Sequence, residues 1–306
     1  MNVIPRDLPF DPAGLSGLSE RLLRSHHQNN YGGAVKRLNA IRAQLVGSKP
    51  GDLAGFELNG LKREELIAAN SMLLHELYFD CLGTGAQDIA PPMALALAGS
   101  FGSVERWRDE FVAMGKALGG GSGWVLLSFL PREGTLVNQW AADHTHALAG
   151  AVPILALDMY EHAYHLDHGA AAGAYVDAFM ANIAWDKVYA RYQQAVHSTS
   201  EGLAADLDRL DPAQCMVLDV RRAGVFQQAK SMLPDARWCD PAQVQDWAGE
   251  LPKDRDVLVY CVYGHEVGRS TAMKLRAAGV RAHFLAGGID GWAKAGRSVQ
   301  AKEPLA

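Results

Sequence analysis

The sequence predicts a multidomain α/β chain: a helical hairpin, an α/β segment behind it, and a small α/β domain built on a parallel sheet. Three patterns predict it. Apolar residues recur at helical spacing before His26 (Leu15, Leu18, Leu22, Leu23) and around His75 (Leu66, Ile67, Leu74, Tyr78). The Pro91-Pro92 pair and the Gly119-Gly120-Gly121 run then punctuate the chain before a strand-like Trp124-Val125-Leu126-Leu127. From about Asp206 apolar strands alternate with helices: strand Met216 to Val220, helix Pro241 to Trp247, strand Val257 to Tyr260, helix Thr271 to Ala278 and strand Phe284-Leu285. That alternation implies a parallel sheet covered on both faces. The polar, turn-rich stretch His197-Ser198-Thr199-Ser200-Glu201-Gly202 is the expected linker.

At 306 residues, 49% of them hydrophobic, the chain can fill two cores. No run of about 18 apolar residues occurs, so no membrane span is expected. The opening Met1-Asn2-Val3-Ile4-Pro5-Arg6-Asp7 lacks the apolar core of a secretion signal, and the cytoplasm is the expected location. Cys81, Cys215, Cys239 and Cys261 stand far apart, which argues against structural zinc and against a disulfide framework. A net charge of −5 argues against a nucleic-acid partner, which would need a basic face.

The chemistry-bearing residues are His26, His75, Asp158 and His162. Three imidazoles and one carboxylate suit a redox-active first-row metal, iron or manganese, in both oxidation states. Asp158 and His162 are four apart, so on a helix they would project from one face. A lone histidine on an apolar helix face is ordinarily a core residue, but that reading must here account for three of them together.

From Leu8-Pro9-Phe10 to about Tyr192 the chain resembles the iron/manganese superoxide dismutase family, over roughly two-thirds of its length. The landmarks come in the family's order: His26-His27 with Leu38-Asn39, His75-Glu76-Leu77-Tyr78-Phe79, Phe101-Gly102-Ser103, Gly121-Ser122-Gly123-Trp124, Asp158-Met159-Tyr160-Glu161-His162-Ala163-Tyr164 and Ala184-Trp185. The resemblance implies the family's two-part fold, with a helical hairpin over 1–85 and an α/β domain over 86–195. It also implies a single iron or manganese ion on His26, His75, Asp158 and His162, and superoxide as substrate. Glu161, beside a ligand, is by resemblance the residue that bonds the other subunit's ligand histidine, so a homodimer or homotetramer is expected.

Several positions depart from the family. Asn30 and Ala34 stand where it carries a gateway His and Tyr; Tyr31, one helical turn before Ala34, is the expected substitute. Tyr160 replaces the usual Trp beside the aspartate, and His165 replaces a Tyr, so His165 and Asn30 would form the pair made across subunits. The usual glutamine before the second histidine is absent, because Ser71 stands there. Asp143-His144 resembles the variant in which a histidine serves the solvent position, so His144 is the candidate and His146 the runner-up.

After a linker at 196–205, residues 206–302 resemble the rhodanese-like domain. Asp219-Val220-Arg221, Val259-Tyr260-Cys261 with its glycine-containing loop, and Leu285-Ala286-Gly287-Gly288 with Trp292 and Gly296 carry the resemblance. A cysteine between a buried strand and a helix meets successive N–H groups that favour a thiolate. By resemblance Cys261 would take sulfur from a sulfane-sulfur donor such as thiosulfate and pass it to a thiol acceptor. The segment after Cys261 is one residue longer than in common sulfurtransferases, and Ser231 replaces a frequent His. Val267 stands where a Cys-x5-Arg phosphatase needs its arginine. Two other readings stay open: a redox-sensing or sulfur-relay protein on a weakly active dismutase scaffold, and a rhodanese-like module that only docks partners.

Overall fold

The computed structural model describes residues 2–85, 87–206 and 214–302. Helix α1 (Glu20–Ser25) starts where the Ser19 hydroxyl accepts the Leu22 N–H. It buries Leu22 and Leu23 and runs into a π-helical turn, His26–Tyr31, before α2 (Gly32–Gly47). The wide turn buries His26 and Tyr31. Helix α3 (Gly55–Asp80) completes the hairpin; its buried residues Ala68, Ser71, Met72, His75, Tyr78 and Phe79 fall three or four apart and form one stripe.

Helices α4 (Pro91–Phe101) and α5 (Val104–Ala117) lead to strands β1 (Trp124–Leu130), β2 (Thr135–Ala141) and β3 (Val152–Asp158). The sheet is antiparallel in the order β2-β1-β3, with Trp124 opposite both Ala141 and Asp158. Every side chain of β1 up to Phe129 is buried, since helices pack on the sheet. Helices α6 (His165–His168), α7 (Ala172–Ala181) and α8 (Trp185–Ser200) close this first domain.

The second domain is a parallel sheet in the order β6-β4-β7-β8, from β4 (Met216–Asp219), β6 (Arg237–Trp238), β7 (Asp256–Tyr260) and β8 (Arg281–Phe284). A two-stranded pair, β5 (Ser231–Met232) with β9 (Gln300–Ala301), lies apart from it. Helices α9 (Ala223–Gln228), α10 (Val244–Trp247), α11 (Glu266–Ala277) and α12 (Gly288–Lys294) complete the alternation. Helix α11 begins five residues before the expected Thr271, and β8 ends at Phe284.

The expected linker is a different object. His197–Ser200 form the last turn of α8, and Glu201–Leu203 a 3-10 turn. Arg269 of α11 donates to the Ser200 hydroxyl and the Glu201 carboxylate, and the Ala205 N–H donates to the Phe284 carbonyl. Two residues of the expected linker, Ser200 and Glu201, are thus partners of the second domain. The expected start of that domain at Asp206 abuts 207–213, which lie outside the described residues. Among the described residues no helix is long and apolar enough to cross a membrane.

One glycine fixes the end of the first sheet. Gly123 has φ +136°, and a Cβ there would lie 2.3 Å from the Ala141 carbonyl oxygen. Its own carbonyl accepts the Met159 N–H at 2.9 Å, tying β1 to the residue after Asp158. Gly123→Ala is expected to lower unfolding stability by about 3 kcal/mol, from a strained φ and a backbone clash together. A melting temperature within a degree of the parent's would contradict this.

Candidate metal centre and cysteine loop

The hairpin and the sheet bring His26, His75, Asp158 and His162 together. Each offers one donor atom, and the four atoms lie within 4.8 Å of one another. Asp158 Oδ2 is 3.1 Å from His26 Nε2, 3.2 Å from His162 Nε2 and 3.5 Å from His75 Nε2. His75 Nε2 and His162 Nε2 are 3.4 Å apart. The expectation that Asp158 and His162 share a helix face is corrected: Asp158 ends β3, and His162 sits in a 3-10 turn, Glu161–Ala163. Asp158 Oδ1 accepts the Tyr160 N–H at 2.9 Å, which turns the chain out of the strand and folds His162 back over the carboxylate.

The donor set fits a cation on its own chemistry. His75 Nδ1–H donates to the Ser71 carbonyl at 2.6 Å, so its Nε2 carries a lone pair that faces a second imidazole nitrogen and a carboxylate. His26 Nδ1 is buried with no hydrogen-bond partner, so nothing fixes that ring's proton from behind. Burial and the neighbouring His26 depress His75 to about 3. Burial opposes ionising Asp158, yet His162 and His26 outweigh it and hold the carboxylate below its usual range. Convergent lone pairs around a buried anion make a metal-binding group of three imidazoles and one carboxylate, of the kind that suits iron or manganese.

Around this group the second layer is specific. The Tyr175 hydroxyl donates to the Asp158 carbonyl at 2.7 Å. Trp124 stands edge-on to His75, with ring centroids 5.3 Å apart. Its indole N–H donates to His144 Nδ1 at 3.0 Å. An indole only donates, so neutral His144 carries its proton on Nε2. Burial lowers the pKa of His144, which favours that neutral form. The ring stacks on Tyr160 at 4.7 Å, and Tyr160 stacks on His162 at 5.4 Å. His146, the runner-up, is half-exposed and stacks on Trp140, away from the four donors.

A cavity of about 260 Å³ is lined by Asn30, Ala34, Arg37, Ser71 and His144 among others; neither Tyr31 nor any of the four donor residues lines it. The Tyr31 ring packs on His27 and Phe79, and its hydroxyl accepts the Arg6 N–H and donates to Glu76. Tyr31 thus lies one ring from the donors, through Phe79, which packs on both His26 and His75. Glu161 and His165 are exposed.

In the second domain Cys261 follows β7 and is buried. Backbone N–H groups of Gly268, Gly264, His265 and Tyr263 point at its sulfur. Burial nonetheless pushes the thiol up, and these N–H groups offset it only in part. The loop depends on glycines: a Cβ on Gly264 (φ +69°) would lie 2.6 Å from Gly287 N, and one on Gly288 would lie 2.5 Å from the Cys261 carbonyl. Ile289 and Asp290 donate to the carbonyls of Cys261 and Val262. The arginine nearest the loop, Arg269, donates through Nε to the Gly264 carbonyl, outside the ring of N–H groups.

The metal-free protein is expected to lose stability on acidification. Unfolded His75 titrates near 6.5 and folded His75 near 3, so the native state binds fewer protons between those values. The contribution is complete above pH 6.5 and is lost as pH falls toward 3; depressed Asp158 adds loss of the same sign lower down. Thermal midpoints of chelator-stripped protein should fall across that window, and a flat profile from pH 7 to pH 4 would contradict the assignment.

Comparison with known proteins agrees with both halves. The description "Iron/manganese superoxide dismutases, C-terminal domain" matches residues 90–191, and "Rhodanese-like domain" matches residues 200–295. A protein of Cupriavidus metallidurans named superoxide dismutase [Fe] is 62% identical over 191 residues, which are 62% of this chain and 96% of that protein. Superoxide dismutase [Mn] 2 of Haloferax volcanii is 36% identical over 193 residues, 62% of this chain and 94% of its own. Superoxide dismutase [Fe] of Aquifex aeolicus is 32% identical over 200 residues, 63% of this chain and 92% of its own. With nearly the whole length of such relatives covered and the three-imidazole, one-carboxylate group in place, the chain belongs to the iron/manganese superoxide dismutase family and carries a rhodanese-like domain behind it.

Proposed function

We propose that the first domain is a superoxide dismutase working with one iron or manganese ion held by His26, His75, Asp158 and His162. The observation that carries this reading is the convergence of three imidazole nitrogens and a buried carboxylate on one point. A bound iron or manganese ion supplies a one-electron couple, so that two superoxides and two protons become oxygen and hydrogen peroxide. The residues do the rest. Asp158 lowers the positive charge of the site, and Tyr175 and Tyr160 N–H fix its carbonyl and carboxylate. Ser71 fixes the His75 ring so that Nε2 faces inward. His144 holds a proton on Nε2 beside the opening, and we assign it the role of proton donor there. We propose a homodimer or homotetramer in which exposed Glu161 bonds the partner's copy of His162, and a cytoplasmic location.

The second domain is proposed to transfer sulfane sulfur. The Cys261 thiolate attacks the outer sulfur of thiosulfate, the S–S bond breaks, sulfite leaves, and a thiol acceptor then removes the sulfur and restores the thiolate. Support comes from the N–H groups aimed at the sulfur, which suit an anion. One observation favours a second reading. The cavity bounded by Ser71 and His144 is lined by Asn30 and Ala34, so a weakly active dismutase scaffold serving redox sensing or sulfur relay fits the same structure. A docking-only rhodanese-like module would keep the loop but load no sulfur.

Protein reconstituted with iron, and separately with manganese, is expected to consume superoxide near the ~10⁸–10⁹ M⁻¹s⁻¹ diffusional ceiling with one of them. His144→Ala should slow that rate by about tenfold or more at unchanged metal content. Negligible turnover at full occupancy with both metals supports the scaffold reading. Incubation with thiosulfate should add one sulfur to Cys261 by mass spectrometry, and Cys261→Ser should abolish it; a parent protein that never gains sulfur is a docking module.

A further inference from the structure

We infer that helix α8 of the dismutase domain is a positioning element of the sulfur site, acting through Glu266 and Arg269. The inference rests on the reading of Cys261 as the sulfur carrier. The two residues flank the end of the cysteine loop. Glu266 opens α11, directly behind the loop residues Cys261 to His265, and is buried at 8% exposure. Its carboxylate accepts from the Tyr189 hydroxyl at 2.8 Å and from Gln193 Nε2 at 3.2 Å, both on α8. Gln193 Nε2 also donates to the Tyr189 oxygen at 3.0 Å, so the three form a closed set. Among the described residues, no side chain of its own domain donates to Glu266.

Arg269, one turn on, is equally buried and bridges the two domains. Its Nε holds the Gly264 carbonyl at 2.9 Å, while the same guanidinium donates to Ser200 Oγ at 2.9 Å and Glu201 Oε1 at 2.8 Å. It lies 4.2 Å over the Phe284 ring, which holds its plane. A guanidinium has a rigid fork, so fixing one edge at the end of α8 fixes the edge that holds the loop. Further along α11, Met273 packs into the core of the dismutase domain, and a Cβ on Gly134 would lie 2.7 Å from Met273 Cβ. The whole face of α11 that follows the cysteine loop is therefore seated on the first domain.

The physical consequence concerns the four N–H groups at Cys261. One end of the loop is set by β7; the other end is set by the first turn of α11, where Gly268 supplies one of the donors. Moving that turn by a few tenths of an ångström misaligns the donors, and hydrogen bonds to an anion weaken steeply with angle. A buried carboxylate left without donors would push the turn outward. Residues of a domain with its own metal chemistry thus tune the anion affinity of the second site. Nothing in the donor cluster of the first site touches Tyr189, Gln193 or Ser200.

The test uses the full, metal-loaded chain in two variants: Tyr189→Phe with Gln193→Leu, and Ser200→Ala. Three quantities are read: the pH midpoint of Cys261 alkylation by iodoacetamide, followed on its tryptic peptide; the KM for thiosulfate; and superoxide consumption per metal. The expected result is an alkylation midpoint raised by about one pH unit in the first variant and a smaller rise in the second, since one charge-assisted hydrogen bond is worth about that much. KM should rise severalfold, with superoxide consumption unchanged. Midpoints and KM equal to the parent's in both variants would overturn the inference. If the double variant loses superoxide consumption through misfolding, Ser200→Ala, which removes one hydroxyl, decides alone. If the parent never takes sulfur from thiosulfate, the sulfur-carrier reading fails, while the alkylation midpoint still decides whether α8 positions the loop.

Discussion

The carboxylate of Asp158 is fully buried at the end of β3, and the architecture of the first domain answers that constraint. A buried anion costs several kcal/mol unless it is paired and hydrogen-bonded. Three imidazoles from three separate segments supply the pairing, one from the π-helical turn after α1, one from α3 and one from the 3-10 turn after β3. The helical hairpin must therefore dock on the open end of the sheet, because two of the partners are on it. Tyr175 on α7 and the Gly123 carbonyl hold the same strand end from the other side. A metal ion completes an arrangement whose lone pairs already converge.

The layer outside the donors is built from aromatic rings and small polar groups. His144 is anchored by Trp124, and Tyr160 lies between His144 and His162 as a stacked plate. Asn30, Ala34 and Ser71 line one cavity with His144, and the Ser71 backbone carbonyl orients His75. The cavity beside His144 is lined by small and amide side chains together with Arg37 and Ile67, and the Trp124 N–H fixes the tautomer of neutral His144.

The two domains are not beads on a string. Helix α8 packs on β3 with one face and on α11 with another. The strand that carries Asp158 and the helix that follows Cys261 are each one contact from the same helix. Coupling between the sites needs a demonstrated two-state element, and α8 is the element both would have to bias. At its end, Ser200 and the adjoining Glu201 bond the buried Arg269, while His197, Ser198 and Thr199 face outward.

How much of this was legible in the sequence follows from which interactions are local. Helical periodicity placed His26 and His75 on buried helical faces, and strand–helix alternation gave the parallel sheet of the second domain, since both patterns are set by neighbours within a few residues. The Asp-x-x-x-His spacing marked the metal group, but its geometry was hidden: the same spacing serves a helix or a strand end followed by a tight turn, and the register of Trp124 against Asp158 decides between them. Helical spacing alone did not show that Tyr31 closes a π-helical turn and bonds Arg6 and Glu76, partners from other segments. The stretch 197–202 read as a linker because its polarity is local information, whereas its partner Arg269 is some seventy residues away in the sequence. Residue types and their order determined the family, the donor set and the cysteine of the rhodanese-like loop. Tertiary structure alone decided that His144 meets Trp124 and Tyr160, that Tyr31 meets Arg6 and Glu76, and that Arg269 bonds the end of α8, because each depends on contacts between segments far apart in the chain.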